Sequence, residues 1–338
     1  MSRSRPLWWA AGLIAVVGAG LAGLAFGPVP LPPAAVATEI LNLIPGVRVE
    51  SGLNPREAAV LLQLRLPRVV LGLLVGAMLA LAGGAYQGVF RNPLADPYLL
   101  GVAAGAGLSA TAVIALDGPR TLLPAAAFAG ALAAIGLTYL LGAAGGGDRS
   151  PAALILSGVA VAAFLQAGQV WLMQRHVEDL REIYSWLLGR LATGGWGDVR
   201  LLLPYVLVTA VVVLAHRREL DVLTVGDEEA AGLGLHPQRS RLILVAAASL
   251  GTAAAVSVSG LIGFVGVIVP HAVRLLVGAS YRAILPLSML FGAAFLALAD
   301  LIARTAAAPA EVPIGVVTAL FGAPFFALVL RTNRRVAL

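Results

Sequence analysis

Asp300 and Arg304 are the most suggestive candidates for chemistry in this sequence. They lie four residues apart in a long apolar stretch, so a helix would place them on the same face. A carboxylate buried at membrane depth is the first candidate for ion coupling in a carrier that is driven by an ion gradient. The same spacing favours a structural ion pair equally well, so these two residues leave both interpretations open.

The residue types needed for catalysis or metal binding do not come together in the sequence. His271 follows Pro270 with no Cys or acidic residue nearby, whereas metal sites need three or four ligands. No HExxH motif, aspartate pair or nucleophile with an adjacent base occurs. The chain has no Lys, so a P-loop cannot lie in it. We therefore predict that the chain is not an enzyme, has no catalytic residue and holds neither a metal nor a cofactor.

Composition identifies the chain as a membrane protein. Hydrophobic residues make up 59% of its 338 residues, charged residues make up 12%, and mean hydropathy is +0.92, far above the range of soluble domains. Several apolar stretches reach the roughly 20 residues that a spanning helix needs, and they are too long for barrel strands. The predicted fold class is therefore all-α and polytopic. The net charge of +6 is attributed to arginines in cytoplasmic loops, and nucleic acid is not an expected partner.

Ten apolar segments separated by helix breakers predict ten transmembrane helices in a single domain, residues 1–338. An even number of crossings places both termini on one side, and arginines near both ends make that side the cytoplasm. The halves beginning near residues 66 and 242 run in opposite directions, which permits an inverted internal repeat. The charged segment 177–190 predicts a surface helix. The ten segments cover residues 7–26, 66–90, 97–116, 121–144, 151–173, 200–215, 242–258, 261–277, 284–304 and 314–330.

RNPLADPY, residues 91–98, is a polar stretch between the second and third predicted crossings. Its residue types are turn formers and helix terminators. Asp96 is expected to cap the N-terminus of the third crossing. We predict a structured turn at the cytoplasmic surface, built from Arg91, Asn92, Pro93, Asp96 and Pro97.

Four stretches in a fixed order carry a resemblance to a known family. They are RLPRVVLGLLVGAMLALAGGAYQGVFRNPLADPYLLGVAAGAG (65–107), LTVGDEEAAGLGL (223–235), SVSGLIGFVGVIVPHAVRLLVG (257–278) and LADLIARTAAAPAEVPIGVVTALFGAPFF (298–326). With them the chain resembles the permease subunits of ATP-binding-cassette (ABC) importers for iron-siderophore chelates, haem and vitamin B12. The resemblance covers nearly the whole chain and implies the ten-helix fold of type II ABC importer permeases.

The same resemblance implies partners and a substrate class. Two copies would form a homodimer in the inner (cytoplasmic) membrane, with two ATPase subunits and a periplasmic or extracellular substrate-binding protein. ATP and Mg would bind to the ATPase, so this chain would carry no cofactor. Import would proceed by alternating access. The expected substrate is an iron chelate, either a siderophore complex or haem, with cobalamin as the next candidate.

Three groups of residues take their predicted roles from this resemblance. The binding protein would dock onto Arg65, Arg68 and Arg304. From the residues alone, Arg65 and Arg68 are predicted to be snorkelling side chains, whereas Arg304 could pair with Asp300. Residues 223–241 would couple the permease to the ATPase; without the family, this stretch predicts an exposed helix capped by Thr224 or Asp227. The coupling residues would be Asp227, Glu228, Glu229, Ala231, Gly232, Leu233 and Gly234. A cytoplasmic gate would be formed by Asp148, Arg149, Ser150 and Pro151.

Overall fold

A computed structural model describes residues 5–46, 49–144, 151–191 and 195–333, and every regular element in these ranges is helical. A π-helical turn, Val60–Arg65, and two 3-10 turns, Arg120–Leu122 and Val177–Asp179, join some of the helices. The α-helices are α1 (Arg5–Ala25), α2 (Pro33–Leu41), α3 (Pro55–Ala59), α4 (Leu66–Val89), α5 (Val102–Ala115), α6 (Leu123–Ala144), α7 (Pro151–Arg175), α8 (Leu180–Leu187), α9 (Gly195–Ala215), α10 (Arg217–Leu223), α11 (Asp227–Gly232), α12 (Pro237–Ser259), α13 (Val265–Val277), α14 (Tyr281–Thr305) and α15 (Ile314–Asn333).

Each of the ten predicted crossings contains a helix, but the helices differ in length. Within the described residues, seven stretches are long and apolar enough to cross a membrane: Pro6–Ala25, Pro55–Val89, Arg120–Ala143, Ala152–Arg175, Gly195–Ala215, Pro237–Ser259 and Tyr281–Thr305. Three further apolar helices are shorter: Val102–Ala115, Val265–Val277 and Ile314–Val329. The all-α membrane fold is therefore confirmed, whereas the count of ten crossings stays a prediction.

The second predicted crossing begins earlier than the sequence suggests. Helical structure starts at Pro55, where Asn54 and Glu57 form a capping box, and continues through the π-helical turn into α4. Pro67 lies in this continuous stretch, where a proline ring would collide with a carbonyl one turn earlier. The wider π-helical turn directly before it relieves that collision, so the helix does not break at the proline.

α4 lies at the centre of the bundle and packs against α14, α12 and α13. Of the apolar window in Pro55–Val89, 83% is buried, compared with 22% to 28% for α1, α6, α7 and α9. Glycines bring the central backbones into contact. A Cβ on Gly76 would lie 2.2 Å from the Gly292 carbonyl oxygen of α14. A Cβ on Gly83 would lie 1.8 Å from the Gly266 carbonyl oxygen of α13. Gly76 and Gly83 therefore allow the backbones of these helices to approach closely.

The break between α12 and α13 positions the segment that follows α8. Residues 260–264 interrupt the helix, with Gly260 at φ 67° and Phe264 at φ 71°. The Arg190 backbone N–H donates to the Ser259 carbonyl at 2.8 Å. The Gly315 backbone N–H donates to the Leu188 carbonyl at 2.9 Å. The predicted surface helix within residues 177–190 is therefore confirmed, and its end is fixed to both α12 and α15.

Candidate functional site: two charge clusters

α11 is held against the bundle by one carboxylate that accepts from two arginines. Arg241, a buried residue in the second turn of α12, donates to Asp227 at 2.6 Å. Arg91 of the 91–98 turn donates to the same carboxylate at 3.1 Å. Hydrogen bonding from Arg241 lowers the pKa of Asp227. We call Arg91, Asp227 and Arg241 the Asp227 cluster, and it ties α11 to the ends of α4 and α12.

The rest of the predicted coupling segment faces outward. Its exposed members are Glu228, Glu229, Ala231, Gly232, Leu233 and Gly234. Leu233 is 71% exposed and adds an apolar side chain to this surface. Gly234 follows the end of α11 with φ 82°, a conformation that glycine adopts readily after a helix. An acidic, partly apolar surface is therefore available to a partner.

The predicted caps of this segment are wrong. Gly226 holds the N-cap position of α11 without a side-chain cap, and Asp227 is the first helical residue. Asp227 points instead to the two arginines. The Thr224 hydroxyl donates to the Asp221 carbonyl at 2.6 Å, so it closes the end of α10.

The 91–98 turn connects the Asp227 cluster to the α12–α13 break. Arg91 adopts φ 50°, which reverses the chain after α4. The Tyr98 hydroxyl donates to the Ile262 carbonyl at 3.0 Å and accepts from the Ile262 N–H at 3.1 Å. Pro97 packs where a Cβ on Gly266 would lie, at 2.6 Å. The structured turn is confirmed, and its contacts extend beyond the local sequence.

The predicted helix cap by Asp96 is wrong. α5 begins at Val102, and Gly101 at φ 81° precedes it without a side-chain cap. Asp96 accepts from the Tyr98 N–H at 2.7 Å and thus closes a turn within the loop. Burial raises the pKa of Asp96 to about 6. α5 starts later than the sequence predicts because Pro97 and Tyr98 of this turn contact Gly266 and Ile262.

A second cluster joins α1, α4, α14 and the loop before α15, and we call it the Asp300 cluster. Asp300 is 2% exposed, pairs with Arg68 at 2.8 Å and lies 3.5 Å from Arg304. Both Nη groups of Arg68 also donate hydrogen bonds to the Glu311 carboxylate, at 2.8 and 2.9 Å. The Arg68 guanidinium lowers the pKa of Glu311. Arg68 is therefore shared between a buried and a half-exposed carboxylate.

Arg65 and Arg304 contribute to this cluster through the C-terminal end of α1. Arg65 is 5% exposed and donates to the Leu24 carbonyl at 2.9 Å. Arg304 is 2% exposed and donates to the Gly23 carbonyl. Carbonyls in the last turn of a helix have no partner within it, so these arginines act as C-terminal caps. Docking by the three arginines stays a prediction, and Arg68 with Glu311 is the part of the cluster that reaches the surface.

Two other parts of the sequence were singled out, namely the gate candidates and His271. The gate candidates Asp148, Arg149 and Ser150 fall outside the described residues, while Pro151 is the first residue of α7. His271 is 6% exposed in α13, where its ring lies at the backbone of Pro93 and meets Phe325 edge-on. Its contacts within the described residues are those of a packed core histidine.

Sequence reasoning missed Arg241, Glu311 and Tyr98 as members of these sites. Arg68 and Glu311 are 243 positions apart, and Tyr98 and Ile262 are 164 positions apart. Patterns of neighbouring residues in the sequence cannot predict contacts between residues so far apart in the chain. A usable signal for Arg241 is its place in the second turn of an otherwise apolar helix, where an arginine needs a partner.

The geometry defines a polytopic helical protein with charge clusters at the two ends of its central helix. A model of the FecCD transport family matches residues 14–332. The chain is 48% identical to the cobalamin import system permease protein BtuC of Halobacterium salinarum, over 79% of this chain and 72% of that protein. It is 40% identical to the hemin transport system permease protein HmuU of Yersinia pestis, over 81% and 84%.

Two further matches cover nearly the whole chain. The Fe(3+) dicitrate transport system permease protein FecD of Escherichia coli is 36% identical, over 94% of this chain and 96% of its own. A solved metal-chelate type ABC transporter in an inward-facing conformation superposes with a TM-score of 0.85, at 30% identity, covering 97% of this chain and 99% of that chain. The chain therefore belongs to the FecCD transport family.

Proposed function

We propose that this chain is the membrane permease subunit of an ABC importer for a metal chelate. Membership of the family implies an ATPase partner and a substrate-binding partner. We assign the ATP and Mg chemistry to the separate ATPase, so that this chain forms the route through the membrane without a cofactor of its own. Transport would proceed by alternating access.

The observation that carries this proposal is the arrangement of α11. Its acidic and apolar residues are exposed, while Asp227 anchors the helix to the ends of α4 and α12 through Arg91 and Arg241. A partner that moves α11 would therefore move the ends of two membrane helices. This is the physical connection that a permease driven by an external ATPase needs.

The substrate proposal draws on the relatives. Their names give cobalamin, hemin and ferric citrate as cargo. We propose a metal chelate as the substrate class of this chain and cobalamin as the first compound to test, because that relative is 48% identical. Siderophore complexes and haem follow.

The finer arrangement completes the proposal. Two copies would form a homodimer in the inner membrane, with both termini and α11 on the cytoplasmic side. The binding protein would dock at the opposite end, beside Arg68. The segment with Asp148, Arg149, Ser150 and Pro151 would contribute to the cytoplasmic gate.

Affinity purification from the native membrane tests the partner proposal. An ATPase subunit should accompany the wild-type chain in equal copy number, and Leu233→Asp should remove it because a charge would enter an apolar contact. Val177→Asp is the matched control, since Val177 is a 62% exposed apolar residue outside the coupling segment. A chain that purifies alone and still takes up substrate would contradict the proposal.

Uptake measurements test the substrate. Cells lacking the chain should regain uptake of radiolabelled cyanocobalamin when the wild-type gene is restored and not when Leu233→Asp is restored. Hemin and ferric citrate are measured in parallel. Rescue that requires an ion gradient and persists without ATP would instead favour the carrier interpretation based on Asp300.

A further inference from the structure

A cleft of about 850 Å³ opens between the first turns of α6 and α9. The last residues of α12 and the buried Trp186 of α8 close it from behind. Both wall helices are candidate membrane spans with only 28% of their apolar windows buried within the chain. The cleft therefore lies at the periphery of this chain's bundle.

The polarity of the cleft changes with depth. Arg120, Arg190 and Asp198 line the end where α6 and α9 begin. Phe128 and Tyr205 line the other end; they follow Arg120 and Gly197 by eight residues, which is about 12 Å along a helix. Their rings lie 5.3 Å apart. The residues between, Leu123, Leu201 and Val258, are apolar.

Two charged side chains at the mouth form no ion pair with the part of the chain that the structure describes. Arg120 is already paired with Glu182 at 2.7 Å. In contrast, the side chains of Arg190 and Asp198 make no hydrogen bond or ion pair with any residue in the described ranges, although the positive charge of Arg190 acts on the Asp198 carboxylate from beyond ion-pair distance. The backbone of Arg190 is fixed by its hydrogen bond to Ser259. The mouth thus presents one cation and one anion for a ligand that carries both charges.

We propose that this cleft binds a phospholipid with an ethanolamine headgroup. Its phosphate would meet Arg190, its ammonium group would meet Asp198, and one acyl chain would lie along Leu201 and Val258 towards Phe128. The charged mouth and apolar depth match the order of groups in a lipid that stands upright in one leaflet. Arginine suits phosphate because it can donate two parallel hydrogen bonds.

Native mass spectrometry of the full-length chain tests the headgroup contacts. The chain is purified in mild detergent, exchanged into micelles with phosphatidylethanolamine or phosphatidylglycerol, and its bound lipid is counted. The wild type should retain phosphatidylethanolamine preferentially. Arg190→Gln and Asp198→Asn should each lower its occupancy roughly tenfold at low lipid concentration, because each loses one charge-assisted hydrogen bond. Arg200→Gln is the matched control, since Arg200 is exposed on α9 and does not line the cleft.

Two leucines of α9 provide a steric test. Leu201 and Leu203 are both 40% exposed, but of the two only Leu201 lines the cleft. Leu201→Trp should displace the lipid, and Leu203→Trp should not. Equal retention of both lipids, or wild-type occupancy in Arg190→Gln and Leu201→Trp, would show ordinary surrounding lipid and overturn the proposal.

The lipid test is independent of transport. Arg190→Lys keeps the charge and should keep most of the phosphatidylethanolamine, which separates lost binding from misfolding. Counting lipid needs neither an ATPase nor a transported chelate, so failure here leaves the permease proposal untouched.

Discussion

Arginine has different roles in this chain, and its partner decides which one. Arg65 and Arg304 are buried and donate to carbonyls at the end of α1. Arg68 bridges the buried Asp300 and the half-exposed Glu311. Arg190 has a fixed backbone and a side chain without a described partner. Side chains of one type therefore provide capping, pairing and a free charge.

The Asp300 cluster predicts unequal effects for its two carboxylates. Asp300→Asn leaves the buried Arg304 without its counter-charge and removes one of the two carboxylates that pair with Arg68, so it should lower the free energy of unfolding by about 3–5 kcal/mol. Glu311→Gln should cost less than about 1 kcal/mol, because the Glu311 side chain is 41% exposed. Thermal unfolding of the purified variants measures both. Equal stability of the two variants would show that Asp300 is not a structural ion pair and would revive its role as a coupling carboxylate.

Asp96 predicts a pH dependence of stability. Its pKa is raised from 3.8 to about 6, so between these values the folded chain holds a proton that the unfolded chain has released. Stability should therefore fall as pH rises through this window and then level off. Unfolding temperatures from pH 4 to 8 should show a smaller fall in Asp96→Asn than in the wild type. The exposed Asp117→Asn serves as control, and an unchanged wild-type profile in Asp96→Asn would contradict the assignment.

At the scale of the elements, apolar length was sufficient to predict where the long helices lie. The ends were harder to predict. α4 continues through Pro67 because of a π-helical turn, and α5 starts late because the preceding turn packs on residues 262–266. The exposed helix α11 followed from its local composition, whereas its role in coupling was predicted from the family resemblance. The partners of Asp227 and Arg68 did not, because those contacts join distant parts of the chain.

Glycines at helix crossings predict sharp sensitivity to a single methyl group. Gly83→Ala places a carbon 1.8 Å from the Gly266 carbonyl oxygen, where backbone must move, so it should cost more than about 3 kcal/mol. Gly136→Ala on α6 meets nothing within 4 Å and should be neutral or stabilising by up to about 1 kcal/mol. Size-exclusion profiles after graded heating compare the two. A Gly83→Ala chain as stable as the wild type would show that α4 and α13 do not touch.

At the scale of the whole molecule, the two charge clusters lie at opposite ends of α4. Arg68 is in its first turn, and Arg91 follows its last residue by two positions. The cluster with Glu311 and the cluster with Asp227 should therefore face opposite sides of the membrane.

The absence of cysteine makes this orientation directly measurable. Single cysteines at the exposed positions Glu178 and Glu228 should react with a membrane-impermeant maleimide from opposite sides. We expect Glu178→Cys to be labelled in intact cells and Glu228→Cys only after the membrane is opened. The cysteine-free parent chain is the control. The reverse pattern would place the termini and α11 outside.

The contact of α4 with its glycine-packed neighbours also has a mechanical consequence. A helix of 24 residues is about 36 Å long. At Gly76 and Gly83 its backbone contacts the neighbouring backbones directly, with no flexible side chain between them that could absorb bending. We therefore expect α4 to move as a rigid unit. A force applied to Arg91 through Asp227 would then displace the whole of α4, including Arg68 at its other end. The rigidity of the helix would couple the two faces of the membrane without a chain of side-chain contacts between them.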